Sequence, residues 1–215
     1  MMRPAHDRGR LVLVLGAVVL GLFLTACTES EEGPGAASPG PSSAAPEGWR
    51  NQQVEGLALA VPEEFRDLAG ESTSAGVTRK FGIPYTDQTS PPPALQVFVE
   101  ETEVGPLDVR APLVVGGLEA ELGIDIPDPE EVEVDGAVTA VEFTYDYRTT
   151  GGTTSSGTTL EPTDIRQSDV LIETPGLPKY GLRYAAPADQ YDEDLWRSLL
   201  DSLVVEEQQP DDAEG

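Results

Sequence analysis

The sharpest pattern in the chain is the alternation in VTAVEFTYDYR, residues 138–148. Val141, Phe143, Tyr145 and Tyr147 fall on one face, and Glu142, Thr144, Asp146 and Arg148 on the other. A two-residue period of this kind predicts a strand with one covered face and one wet or only partly covered face. ALQVFVEE repeats the pattern with Leu95, Val97 and Val99. GLALAVP, with Leu57, Leu59 and Val61 after Val54, predicts an earlier strand, and VTRKFGIPY predicts another over 77–85. SDVLIET and KYGLRYAA predict two late strands around the turn Pro175-Gly176-Leu177-Pro178.

Two stretches carry the helical period instead. Over 106–123, Leu113, Val114, Leu118 and Leu122 lie near one stripe, and Gly123 is placed to stop the helix. Pro112 must sit in the first turn of that helix or kink it. Near the end, Leu195, Trp196, Leu199, Leu200 and Leu203 make a broad apolar face, with Asp192, Glu193 and Asp194 where a helix dipole favours acids. A short helical turn is expected over EEFRDL, opened by Pro62. The order is strand, short helix, two strands, helix, three strands, helix. Hairpin-linked strands with few, separated helices predict an α+β fold, a sandwich around an antiparallel sheet.

Between these elements the chain is polar and rich in breakers. Residues 70–76 read as a loop, and the three prolines of DQTSPPP, residues 87–93, cannot continue a strand. RTTGGTTSSGTTLEPTD, 148–164, is a long polar connection; its Gly/Ser/Thr run from Gly151 to Thr159 lacks the lysine and spacing of a phosphate-binding loop. Residues 49–205 suit one domain with one core. Residues 206–215 form an acidic tail.

The first 48 residues follow different rules. Arg3, Arg8 and Arg10 precede Leu11–Ala26, sixteen residues without charge. This is the layout of a secretory signal, residues 1–26, and it is short for a spanning helix of about 20 residues. Leu24-Thr25-Ala26-Cys27 follows that apolar core and resembles the lipobox of bacterial lipoproteins. In that family the cysteine sulfur receives a diacylglyceryl group and a peptidase cuts before it. The resemblance makes Cys27 the lipidation site and the first residue of the mature chain. Cys27 is also the only cysteine, so no internal disulfide exists. Residues 28–48 then read as a tether, since twelve of the twenty-one are Gly, Pro or Ser. Fully stretched, it would reach roughly 70 Å from the bilayer. The expected location is the outer face of the cell membrane.

Charge narrows the function classes. Removal of Arg3, Arg8, Arg10, Asp7 and His6 with the signal takes the thirteen basic and thirty-nine acidic residues to ten and thirty-eight, a formal charge of −28 with no histidine. Such a field opposes nucleic-acid binding, which requires Lys and Arg on phosphates. It also keeps a surface protein soluble. Without histidine or a free thiol, nucleophilic catalysis lacks its usual base, and zinc or copper lack their usual ligands.

Carboxylates alone remain. Glu142 and Asp146 share a strand face and form a formal pair for hydrolysis, though a solvated sheet face explains them as well. Asp189, Asp192, Glu193 and Asp194 cluster in one stretch, and Asp125, Asp128, Glu130 and Glu131 in another. Neither matches a calcium loop; the first reads as a helix start and the second as a polar loop. No metal, cofactor or catalytic residue is assigned. Tyr145, Tyr147, Tyr180 and Tyr184 either line a groove or fill the core, and core is favoured.

Trp49 followed by GLALAVPEEF, a middle helix, a late strand pair and the closing LWRSLLDSLVV resemble the PsbP-like secreted lipoproteins, including the LpqN type. The resemblance implies an αβα sandwich around a central antiparallel sheet, and it brings no shared catalytic residues. The expected function is non-enzymatic: a lipid-anchored extracytoplasmic protein that binds or scaffolds an envelope protein or lipid. A carrier of a lipid or other apolar ligand and a carboxylate-only surface hydrolase are the alternatives.

Overall fold

The computed structural model describes residues 45–68, 76–84, 89–102, 105–153 and 159–206. The chain divides into two units, Met1–Pro41 and Ser42–Gly215, and all described residues lie in the second. Its first feature is a hairpin where one strand was expected. Trp49–Val54 (β1) and Leu57–Pro62 (β2) pair antiparallel, from Trp49 opposite Pro62 to Val54 opposite Leu57. Only Glu55 and Gly56 connect them, at φ of 48° and 89°. Two consecutive positive φ values define the tight turn whose twist matches the flanking strands. Gly56 suits it; Glu55 does not advertise it.

The helical turn expected after Pro62 shrinks to a single hydrogen-bonded turn, the Phe65 N–H donating to the Pro62 carbonyl at 3.1 Å. Phe65 goes into the core at 2% exposure, and Arg66–Asp67 (β3) pairs with Val77–Gly82 (β4). Burying Phe65 requires an extended approach, which overrides the favourable helix start. β4 ends at Gly82, three residues before the predicted end, and Ala94–Glu100 (β5) follows. Leu95 and Val97 are fully buried on one face, as the alternation requires.

The first helix, Leu107–Leu122 (α1), ends on Gly123 in the left-handed conformation, whose N–H donates to the Glu119 carbonyl at 2.8 Å. Pro112 lies inside the helix, past the first turn, on its exposed side. The buried face keeps Val114, Leu118 and Leu122 of the predicted stripe, loses Leu113 and adds residues of the first turn. Leu113 is 70% exposed, while Leu107, Arg110 and Ala111 are buried and Val114, Leu118 and Leu122 pack against the sheet. Arg110 sets this rotation: its guanidinium donates to Glu100 at 2.7 Å and to the Ile172 carbonyl at 2.9 Å. A buried charge must be paired, so that anchor overrides the apolar count.

Glu130–Val132 (β6) is an edge strand where a polar loop was expected, and it pairs with Thr139–Arg148 (β7). The long polar connection contains the two-residue ladder of Gly152–Thr153 (β8) and Thr159–Leu160 (β9). Asp164–Glu173 (β10) and Lys179–Pro187 (β11) form the late hairpin, closed by a cis Leu177–Pro178 bond. Glu193–Asp201 (α2) begins at Asp192, whose carboxylate accepts from the Leu195 N–H at 3.0 Å. Val204–Val205 (β12) then adds to β2.

Seven strands form the main sheet, in the order β3-β4-β5-β11-β10-β7-β6, all antiparallel. The smaller sheet β1-β2-β12 and α2 cover one face, where Leu57, Leu59, Phe81, Leu95, Tyr180, Tyr184, Trp196 and Leu199 form the larger core. Helix α1 covers part of the other, over Phe143, Tyr145 and Ile126. The fold is α+β, with helices on both faces of a central antiparallel sheet.

Candidate functional site

The lipobox residues Leu24, Thr25, Ala26 and Cys27 lie outside the described residues. The acidic candidates lie within them, and the structure gives four of the ten, Glu142, Asp146, Asp192 and Glu193, partners within the protein. Glu142 was expected on a wet face. It is 6% exposed, because α2 covers that face of β7, and its carboxylate accepts from the Trp196 indole at 2.6 Å and from Arg197 at 2.8 Å. Asp146, four residues along, stays exposed and takes a two-pronged contact from Arg166 at 2.8 and 2.9 Å. That hydrogen-bonded guanidinium holds the Asp146 carboxyl below its ordinary range. Four strand residues separate the two acids by about 13 Å. One is sealed under a helix and the other faces water, so they do not flank a common cleft.

Asp192 caps α2 and Glu193 pairs with Arg197. Glu130 and Glu131 sit on the edge strand β6. Among the described residues, no three His, Cys, Asp or Glu side chains are grouped to hold a metal ion.

The tyrosines separate by sheet face. Tyr180 and Tyr184 are 1% exposed in the larger core, and Tyr145 is 4% exposed beneath α1. Burial pushes the Tyr180 and Tyr184 hydroxyls up to about 12. Tyr147 is half-buried and borders the open part of the α1 face.

In that open part the register brings several polar side chains into one row. On the face that α1 only partly covers, Asp169 of β10 stands opposite Arg183 of β11, Arg183 opposite Gln96 of β5, and Gln96 opposite Lys80 of β4. Asp169, 4% exposed, accepts from Arg183 Nε at 2.8 Å, from Gln167 at 2.7 Å and from the Tyr145 hydroxyl at 3.0 Å. Arg183 lies 5.4 Å over the Phe98 ring, and its Nη groups donate no hydrogen bond among the described residues. Lys80 has neither ion pair nor side-chain hydrogen bond among them. Seven of the ten basic residues from Arg50 onward form salt bridges. Lys80 is an exception that is also half-buried.

Beside this row the sheet floor is shallow, because the next pair across β5 and β11 is Ala94 and Ala185. Tyr147, Ile165, Leu160 and the Pro91–Pro92 segment rise around it, leaving a groove of about 370 Å³ that Lys80 and Gln96 enter at one end. The sequence flagged none of Lys80, Gln96, Ala94 or Ala185. Their assembly depends on the pairing of β4, β5 and β11, strands up to about a hundred residues apart, and no local motif records it.

No family model and no curated protein matches the sequence. Similar solved structures are found at low identity. The solution structure of cyanobacterial PsbP from Synechocystis is 14% identical, with a TM-score of 0.48, covering 76% of this chain and 95% of that one. LpqN of Mycobacterium tuberculosis, described as involved in cell envelope biogenesis, is 13% identical with a TM-score of 0.44, covering 74% and 92%. The Ran-binding protein Mog1p of Saccharomyces cerevisiae is 14% identical with a TM-score of 0.43, covering 73% and 96%.

Proposed function

We propose that this chain is an extracytoplasmic lipoprotein, held at the outer face of the cell membrane by fatty chains on Cys27, whose α+β domain binds an envelope component and catalyses no reaction. The observation that carries the reading is Leu24-Thr25-Ala26-Cys27 directly after an uncharged sixteen-residue core. No described helix is long and apolar enough to cross a membrane. A diacyl anchor adds about 0.8 kcal/mol of membrane affinity per buried CH₂.

Binding is favoured over catalysis by how the buried and part-buried acids are used. Glu142 holds α2 through Trp196 and Arg197, Asp169 orders the Tyr145–Gln167–Arg183 cluster, and Glu173 pairs with Lys179. Each is a structural contact within the protein. A general acid or base must instead reach a proton on a substrate. The groove over Ala94 and Ala185 supplies a recess for a ligand, with no carboxylate, imidazole or thiol among its described lining residues.

The test is the intact mass of the protein extracted from its native membrane. A chain beginning at Cys27 and carrying diacylglyceryl mass is expected, and Cys27→Ala should leave the protein uncut or release it to the medium. A product beginning at Met1, or one weighing only its amino acids, overturns the reading.

A further inference from the structure

We infer that the groove over Ala94 and Ala185 binds a single-chain amphiphile with a monoanionic carboxylate head, the head meeting Lys80 and Gln96 and the chain lying on the alanine floor toward Tyr147. The inference rests on the binding role proposed above and gives it a ligand class.

The charge arrangement selects the head. Acids outnumber bases thirty-nine to thirteen in this chain, yet Lys80 is half-buried and has no partner among the described residues. A part-buried cation without a counterion offers an incoming anionic group an attractive charge partner. Arg183 stands two strand spacings away, about 10 Å, on the same face with Gln96 between. Its Nε is committed to Asp169 and its guanidinium lies over Phe98, so it stands behind the groove and leaves Lys80 as the cation that lines it. Because Asp169 already balances Arg183, the row of four from Asp169 to Lys80 carries one net positive charge, and Lys80 brings it to the groove. One charge matches a carboxylate. A doubly charged phosphate would leave an excess negative charge beside Asp169 in a chain that is strongly acidic throughout.

The shape selects the body. Two alanines opposite one another leave a trough, and Tyr147, Ile165 and Leu160 supply apolar walls. A volume of about 370 Å³ is near the lower end of small-molecule sites. It suits one alkyl chain and is too small for a two-chain lipid. Each methylene fully removed from water strengthens binding about fourfold.

The experiment is calorimetric titration of residues 28–215, which contain every described element and both apolar cores. The probes are decanoate, hexanoate, decyl phosphate and the neutral decyl glucoside, each below its micelle concentration. Decanoate is expected to bind one to one. Hexanoate should bind at least tenfold more weakly, and decyl glucoside and decyl phosphate each about tenfold more weakly. Lys80→Met should weaken decanoate about tenfold without moving the thermal midpoint, and Ala185→Leu should abolish binding by filling the trough. Lys80→Met alters a partly exposed side chain, so it remains a valid test if Ala185→Leu fails to fold. Absence of saturable decanoate binding, equal affinity for Lys80→Met, or tighter binding of decyl phosphate overturns the inference. The two readings fail separately. An acylated Cys27 with no decanoate isotherm leaves the lipoprotein and removes this ligand; a saturable isotherm with an unmodified Cys27 does the reverse.

Discussion

The indole Nε1 of Trp196 donates to Glu142 Oε1 at 2.6 Å, joining α2 to the fourth residue of β7. Trp196 is fully buried and Glu142 is 6% exposed. Arg197 Nη1 completes the contact at 2.8 Å from the other carboxylate oxygen. Removing the carboxylate leaves a buried N–H without an acceptor, which costs more than the bond itself contributed. Glu142→Ala should therefore lose about 2–4 kcal/mol in chemical denaturation. Glu142→Gln retains an acceptor for the indole and should lose less than half of that. Equal losses for the two variants would show that the charge, through Arg197, carries the contact rather than the hydrogen bond to Trp196.

A second long-range contact fixes the first hairpin. The Tyr180 hydroxyl donates to the Glu55 carbonyl at 2.7 Å, and a Cβ on Gly56 would come within 2.9 Å of that same hydroxyl. Gly56 also sits at φ 89°, a conformation that costs a side chain about 1 kcal/mol. Gly56→Ala should destabilise by about 1–3 kcal/mol, strain and crowding together. Tyr180→Phe alone should cost about 1 kcal/mol. Made in the Tyr180→Phe background, Gly56→Ala should cost measurably less, since the clashing oxygen is gone. Strict additivity in this double-mutant cycle would mean that backbone strain alone sets the glycine.

Sequence periodicity exposes some of these contacts and hides others for a physical reason. β5, β7, β11 and α2 each bury a row dominated by apolar side chains, so their own residues announce them, whereas β10 mixes buried Gln167, Ser168 and Asp169 with its apolar residues. β6 and β12 are three and two residues long and exist because a neighbour presents an open edge. Their local composition need not favour a strand. Glu142 reads as a surface acid because alternation reports which side chains share a face, but not whether a helix about fifty residues later will land on it. The groove is hidden in the same way. Ala94 and Ala185 are unremarkable apart, and become a floor only when β5 and β11 align them.

Helix α1 separates apolar character from burial in one element. Leu113 belongs to the apparent stripe, yet it is 70% exposed, whereas Leu107 is 5% exposed against the sheet. Leu113→Ser should fall within about 0.5 kcal/mol of the parent, the range of exposed substitutions away from special contacts. Leu107→Ala should lose about 2–4 kcal/mol, the transfer term plus the cavity left behind. Thermal or urea unfolding measures both. A larger loss at Leu113 than at Leu107 would mean that the helix is rotated from the orientation fixed by Arg110.

The tyrosines make the fold sensitive to alkali. Burial is the largest cause in each of Tyr145, Tyr147, Tyr180, Tyr184 and Tyr191, and it raises every one of these hydroxyls above the ordinary value of 10.0. At Tyr180, raised to about 12, the carboxylates of Glu55 and Glu206 add to the effect. A folded-state value above the unfolded one means that the native state holds its protons longer. The associated stability is complete below pH 10.0 and is lost as pH climbs through about 12, where the unfolded chain ionises first. Phenolate absorbance and circular dichroism, followed together from neutral to high pH, should show most tyrosines ionising only as secondary structure disappears. Five tyrosines titrating near pH 10 in a chain that keeps its dichroism would place their hydroxyls in water and contradict the packing of both cores.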